Sequence, residues 1–448
     1  MENSRKSACD LVGRVADALS PWVPSGSSIL LALSGGVDSI VLLHVLSQVA
    51  PRYFWRLNAL HVHHGISPHA DSWAAFCIDL CARYAIPLQV EQVDITPLRE
   101  LGIEAAARKL RHAALDRQHV DFIALAHHQD DQAETLLLQL LRGAGLRGAS
   151  AMPMIRQRTG NPTQLRPLLN VSRSELVAYA QHHALQWVED ESNLDEDYPR
   201  NFMRHRVLPL LEQRFPAYRA TLSRSAQHFA EGSELLDQLA QIDAQGALHG
   251  KTLDVERLQD LTIPRAKNLL RYFLHSLGAP MPQAVQLDGM LQQLCDARQS
   301  ATIKITFGHW QLGRFKGNVY IFPALPEPDE KFFVEWQGEA SIDLPELGGT
   351  LYFEPVIGQG LSLKKLQGER VTVRLRRGAE RIRIDAKRPT RSLKNLLQEQ
   401  ELPPWQRERL PLLFCGETLI AIPGVGVESA YQSKPEETAL ILRWNTAT

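Results

Sequence analysis

Between residues 28 and 126, short apolar runs at 29–33, 57–62, 88–93 and 122–126 alternate with longer amphipathic stretches. That alternation constrains the fold more than any other feature. Runs so short and so apolar suit strands of a covered parallel sheet better than surface helices, and the stretches between them (39–49, 67–84 and 103–117) carry helical spacing. The expected class is α/β, with a doubly wound parallel sheet covered by helices. Ser67 followed by Pro68 reads as an N-cap with proline in the first helical turn, and Ser172 with Glu175 as a capping box opening a further helix.

At 448 residues the chain exceeds what one hydrophobic core usually serves, and its character changes along its length. The expected division is a doubly wound N-terminal catalytic domain at 1–215, a mainly helical middle domain at 216–325, a linker region at 326–364 and a small α+β domain at 365–448. The polar, leucine-spaced stretch 217–244 opens the middle domain, and a Pro/Glu-rich piece at 323–331 begins the linker. No run approaches the apolar length of a bilayer span, and Met1 to Lys6 lead into no apolar signal core, so a cytoplasmic protein without a membrane partner is expected. The five cysteines suit a reducing compartment, and Cys77 and Cys81, close together on a helical stretch, read as small buried apolar side chains.

The loop Ser34-Gly35-Gly36-Val37-Asp38-Ser39 follows the first strand and opens the first helix. Two glycines permit close backbone approach, and the N–H groups of the loop and first turn can face a phosphate, with the hydroxyls of Ser34 and Ser39 as further donors. Asp38 would repel that anion unless a cation such as Mg²⁺ mediates or the carboxylate serves the chemistry. ATP is therefore the expected ligand. The only approximation to a classical P-loop, Gly246 to Thr252, has one residue too few between its glycines and reads as a turn.

The run from His127 to Thr135, His-His-Gln-Asp-Asp-Gln-Ala-Glu-Thr, leaves the fourth strand at its carboxyl end, where ligands of open α/β sheets collect. In a helix, Asp131 and Glu134 share a face and can hold an ammonium group or a metal. Glu104, Arg108 and Arg111 also recur on one helical face, as a solvated ion-pair array or as a site for phosphate or carboxylate.

Taken in order, the loop at 34–39, the string 102–111, the run 127–135, Asp190-Glu191-Ser192-Asn193, Arg200-Asn201-Phe202-Met203-Arg204 and Leu208-Pro209 resemble the bacterial tRNA(Ile)-lysidine synthetases, members of the PP-loop ATP-pyrophosphatase superfamily. The resemblance returns at Pro403-Pro404-Trp405 and 416–421 and is weak at 323–361. It implies a ligase that joins free lysine to the wobble cytidine of tRNA(Ile) bearing a CAU anticodon. An adenylated cytidine forms on the way, AMP and pyrophosphate are released, and the tRNA changes from methionine to isoleucine identity. It further implies that Ser34, Gly35, Gly36, Val37, Asp38 and Ser39 hold ATP, with Asp38 near Mg²⁺ or the reacting centre. Asp131 and Glu134 would receive the lysine, Arg108 and His127 would stabilise charge around the adenylated base, and Arg200 and Arg204 would close over the site or reach tRNA phosphate.

Formal net charge is only −1, yet 364–391 holds eleven Lys/Arg against three acids. Such a surplus in a nearly neutral chain favours phosphate contact, with Arg374, Arg376 and Arg377 as candidate tRNA ligands. Trp405 reads as a core side chain or as a stacking platform for a base. Oligomeric state is left open, a homodimer being one option.

Overall fold

The structure, a computed structural model, describes residues 10–158, 160–191, 195–298, 303–329 and 331–446, and at Leu101 and Glu104 the backbone only. Cys9, Ser192, Asn193 and the Glu104 side chain therefore lie outside the described residues. The chain forms two compact units, Met1–Leu235 and Leu236–Thr448.

The first unit is built on a six-stranded sheet of β1 (Ser28–Ala32), β2 (Arg56–His63), β3 (Leu88–Gln92), β4 (Phe122–Ala124), β5 (Ile155–Arg156) and β6 (Thr163–Leu165), in the order β3-β2-β1-β4-β6-β5. All pairs are parallel except β5 with β6. The central β1 shows why its run is wholly apolar. Ile29 and Leu31 pack into one cluster and Leu30 into another with Leu60 and Ile123, so both faces of the strand are covered. Helix α1 (Leu11–Leu19) and helix α2 (Val37–Val49) add Leu11, Val15, Leu19, Ile40, Leu43 and Leu46 to the first cluster. Burying each such side chain contributes about 1.5–3 kcal/mol before ordering costs. Cys77 and Cys81 belong to the same cluster, and burial pushes their thiols up to about 12 and about 11, which makes them inert packing groups.

Helix α3 (Ala70–Arg83) starts later than expected. Ser67 Oγ accepts from the His69 N–H at 3.1 Å and donates to Glu191, so Ser67 and Pro68 form a turn ahead of the helix and His69 takes the N-cap position. Helix α4 (Ile103–Asp116) and helix α5 (Gln129–Leu141) follow β3 and β4. Helix α6 (Arg173–His182) has the expected box: Ser172 Oγ accepts from Glu175 N, and Glu175 Oε2 from Ser172 N. Helix α7 (Tyr218–Ala244) runs on toward the second unit.

In that unit, β7 (Leu248–His249), β8 (Thr252–Asp254), β9 (Ile303–Phe307), β10 (Trp310–Phe315) and β11 (Asn318–Pro323) form an antiparallel sheet in the order β7-β8-β11-β10-β9. Leu253, Leu312 and Val319 of its inner face pack against helix α8 (Ile263–Ser276) and helix α9 (Ala284–Asp296) through Phe273, Leu287 and Leu291. The helical middle region thus carries a sheet that helical spacing alone does not announce, and Gly250 sits at positive φ in the β7–β8 hairpin.

The stretch 326–364, expected as linker, has no regular structure from Pro326 to Asp329 and then carries strands. These are β12 (Phe333–Glu335), β13 (Ser341–Leu344), β14 (Gly349–Ile357) and β15 (Leu361–Ser362). The physical reason is the two-residue period of β14, which buries Leu351 and Phe353 and pairs along its whole length with the terminal strand, Thr438–Thr446. The remaining strands are β16 (Val371–Arg374), β17 (Arg381–Ile382), β18 (Arg391–Ser392), β19 (Leu412–Cys415), β20 (Thr418–Ile422), β21 (Gly426–Val427) and β22, the terminal strand itself. β17 and β18 pair with each other, and the others complete sheets β12-β16-β19-β20-β21 and β13-β14-β22-β15, which enclose Leu351, Val373, Leu413 and Ile420.

Trp405, on the short helix Pro404–Glu408, is 7% exposed and belongs to the core. Its ring stacks on Phe322 at 5.0 Å and meets Tyr320 edge-on at 5.5 Å. Gly313 lies beneath it, so close that a Cβ there would come within 2.7 Å of the indole.

Candidate active site

The sheet reverses its strand order between β1 and β4, and the carboxyl ends of these two strands begin the site. From β1 the chain turns through Ser34 to Gly36 into α2. Gly35 has φ +89°, and a Cβ on it would stand 2.8 Å from Val188 Cγ2, so only glycine fits without strain. Ser39 Oγ accepts from Ser34 Oγ and from the Gly35 N–H and donates to Gly36 O, while Ser34 Oγ accepts from the Gly36 N–H at 3.4 Å. The loop is held from outside as well, by Val188 N donating to Gly35 O at 3.0 Å. Gly36 caps α2, which leaves the N–H groups of its first turn without partners within the helix, and Asp38 stands in that turn. Asp38 Oδ1 is buried without a hydrogen-bond partner.

From β4 the chain passes through His127 and His128 into α5, whose first turns carry Asp130, Asp131 and Glu134, all buried. Asp131 Oδ2 accepts from His128 N at 2.9 Å, and its Oδ1 accepts from Arg200 Nη2 at 2.9 Å and Arg204 Nη2 at 3.3 Å. Glu134, fully buried, takes Arg200 Nε on Oε2 and Arg204 Nε on Oε1, both at 2.7 Å. The two arginines come from Pro199–Phe202 and from the π-helical turn Met203–Val207, an irregularity often found where side chains are aimed at a site. Arg200 and Arg204, expected to close over the site or reach phosphate, therefore lie on the acid pair, where charge-assisted bonds offset the burial of four ionised groups.

The titrating groups are sorted by their surroundings. Burial, reinforced by Arg166, Arg200 and Arg108, pushes His127 down to about 3, leaving a neutral imidazole whose Nδ1 has no partner. At His128 burial opposes charge, but Asp131, Asp38 and Asp130 outweigh it and raise the pKa. Burial opposes ionisation of Asp131 too, yet His128, Arg200 and His127 hold its carboxyl well below the ordinary range. Arg108 sits exposed on α4, and its charge bears on His127 and Arg166.

Three contributors, Arg166, Asp130 and His128, are not among the individual site residues expected from the sequence. Arg166, 5% exposed, donates from Nη1 to Pro153 O and from Nη2 to Gln164 Oε1, while its Nε has no partner. Burial, Arg156 and Arg108 push it down to about 10. Asp130 accepts from Arg219 Nε at 2.5 Å and from Arg173 N at 2.9 Å, at the edge of a cavity of about 490 Å³ also lined by Glu134, Arg204 and Tyr218. No local pattern marks Arg166, whereas Asp130 and His128 both stand within the conspicuous run at 127–135. Arg374, Arg376 and Arg377 belong to the second unit. Arg374 is committed to Glu417 and Gly416 O, whereas Arg376 and Arg377 are exposed.

A glycine turn at the switch point of a parallel sheet, with an acid in the first helical turn, defines a PP-loop ATP-binding enzyme, and residues 10–211 match the PP-loop domain family. Residues 253–320 match the TilS substrate binding domain and 371–444 the TilS substrate C-terminal domain. The chain is 44% identical over 431 residues to a tRNA(Ile)-lysidine synthase of Nitrosomonas europaea, covering 95% of this chain and 94% of that one. It is 38% identical over 415 residues to the tRNA(Ile)-lysidine synthase of Coxiella burnetii, covering 92% of each. A U34-tRNA thiolase structure from Methanococcus maripaludis aligns at TM-score 0.44 and 17% identity, over 52% of this chain and 81% of that one. The chain belongs to the tRNA(Ile)-lysidine synthase family. Among the described residues no helix is long and apolar enough to cross a membrane.

Proposed function

We propose that this enzyme joins free lysine to the wobble cytidine of a tRNA(Ile) with a CAU anticodon, in two steps at the site between β1 and β4. The observation that carries the reading is the meeting of an anion-binding loop with a buried acid pair: Asp38 of the loop and Asp131 of the pair each lie within 3.6 Å of the same nitrogen, His128 Nε2. In the first step the cytosine O2 attacks the α-phosphate of ATP, and pyrophosphate leaves. In the second the lysine side-chain nitrogen attacks C2, and the former carbonyl oxygen departs on AMP, a far better leaving group. The base thereby exchanges its oxygen for a lysine, and the tRNA changes from methionine to isoleucine identity.

The residues divide the work by charge. The N–H groups around Ser34 to Ser39 receive the phosphates. Asp38, whose buried Oδ1 is spare, is fit to hold Mg²⁺, which would offset phosphate charge. Asp131 and Glu134 receive the amine, which enters where a guanidinium of Arg200 or Arg204 gives way. Asp131, held strongly anionic, is a weak proton acceptor and acts as a charge partner. The remaining cations favour the neutral, nucleophilic amine. His127 and Arg108 face the charge that develops on the adenylated base, and exposed Arg376 and Arg377 contact tRNA phosphate.

The test is incorporation of labelled lysine into a tRNA(Ile) transcript in the presence of ATP, beside a tRNA(Met) transcript with the same anticodon. Lysine is expected on the first alone, with one AMP released per lysine. No incorporation, or equal incorporation into both, overturns the reading.

A further inference from the structure

We propose that His128 is a positioning residue which ties the phosphate loop to the acid pair and sets their separation. This rests on the reading of Asp131 as a partner of the amine. His128 Nε2 lies 3.6 Å from Asp38 Oδ2 and 3.5 Å from Asp131 Oδ2, and Nδ1 lies 3.7 Å from Asp130 Oδ2. The ring is 1% exposed. Asp38 stands in the first turn of α2 and Asp131 in the first turn of α5, two helices that leave neighbouring strands. Two carboxylates brought toward one atom repel each other, and an N–H between them turns that repulsion into attraction to a common centre.

His128 also occupies the N-cap position of α5, and capping is the simpler account of a polar side chain there. Capping is served by serine, threonine, aspartate or asparagine, and needs neither a ring nor reach across to another helix. The loop fixes where the α-phosphate lies and the acid pair where the amine lies. Their separation therefore decides whether the nucleophile meets the activated carbon, and a misplacement of about 1 Å at such a centre costs on the order of 100-fold in rate.

Two variants separate the accounts. In His128→Gln an amide nitrogen reaches close to the position of Nε2, between Asp38 and Asp131. In His128→Asn the side chain is a good cap but reaches only to the level of Nδ1. The positioning role predicts that His128→Gln keeps lysidine formation within about threefold of the parent, while His128→Asn loses about 10–100-fold in kcat with each KM changed less than about threefold. A capping role predicts the reverse order, with His128→Asn the more active and the higher melting. Both variants are taken through thermal melts, and His128→Ala serves as the fully truncated reference. A glutamine variant no more active than the asparagine variant overturns the proposal. The parent is assayed in parallel: if it forms no lysidine, the reading of the reaction has failed, whereas an active parent with asparagine equal to or above glutamine removes the positioning role alone.

Discussion

Glu134 and Asp131 have similar partners but different prospects on substitution. Glu134 is fully buried and holds Arg200 through Oε2 and Arg204 through both oxygens. Glu134→Ala should raise the lysine requirement far more than the ATP requirement, because a lost charge-assisted partner costs about 1.5–3 kcal/mol. Steady-state titrations of each substrate check this, and equal effects would move Glu134 to the phosphate side. Asp131 adds a pH dependence. Its folded pKa is depressed to about 2 from 3.8, so its stabilisation is present above pH 3.8 and is lost as pH falls toward 2. The melting-temperature gap between parent and Asp131→Asn should therefore close across that window. Asp131 and Glu134 were legible as a pair because both lie in one helical turn. Their arginine partners were not, because Glu134 meets Arg200 and Arg204 across 66 and 70 residues of chain, a pairing set by tertiary packing.

At the scale of elements, the four strands read from the sequence were β1, β2 and β4, whose centres are buried, and β3, a half-exposed strand legible from its place in the strand–helix alternation. Other short strands of mixed polarity were not legible. β6, Thr163-Gln164-Leu165, is recognisable only by its parallel partner β4, and β12 is three residues with Phe333 and Glu335 exposed. The loop after β1 was visible because its demand is local. Gly35→Ala should cost about 1–3 kcal/mol, since alanine at φ +89° is strained and its Cβ meets Val188. The same substitution should weaken ATP binding, as Val188 N is the outer hydrogen bond to that turn. Calorimetry with ATP and a thermal melt give the two readings, and a variant with parental values in both would show that the turn relaxes freely.

For the molecule as a whole, a net charge near zero conceals how its cations are used. Much of the basic stretch is engaged internally: Arg370 with Glu335, Arg374 with Glu417, and Lys365 with the carbonyls of Ala430 and Gln432. Arg376 and Arg377 are the better candidates for phosphate. Changing both to alanine should lower tRNA affinity and flatten the log–log salt dependence by about 0.7–0.9 per lost contact, with ATP binding unchanged. Filter binding at several salt concentrations measures the slope, and an unaltered slope would leave these residues as solvated surface. The contact of Trp405 with Gly313 joins two positions far apart in sequence and has an evolutionary consequence. A methyl group at 313 and an indole at 405 cannot share that space. A lineage that gains a side chain at the first position is expected to shrink the second first, so the two sites should be inherited as a single character, and a chimera joining them from different parents should fold poorly unless it carries both.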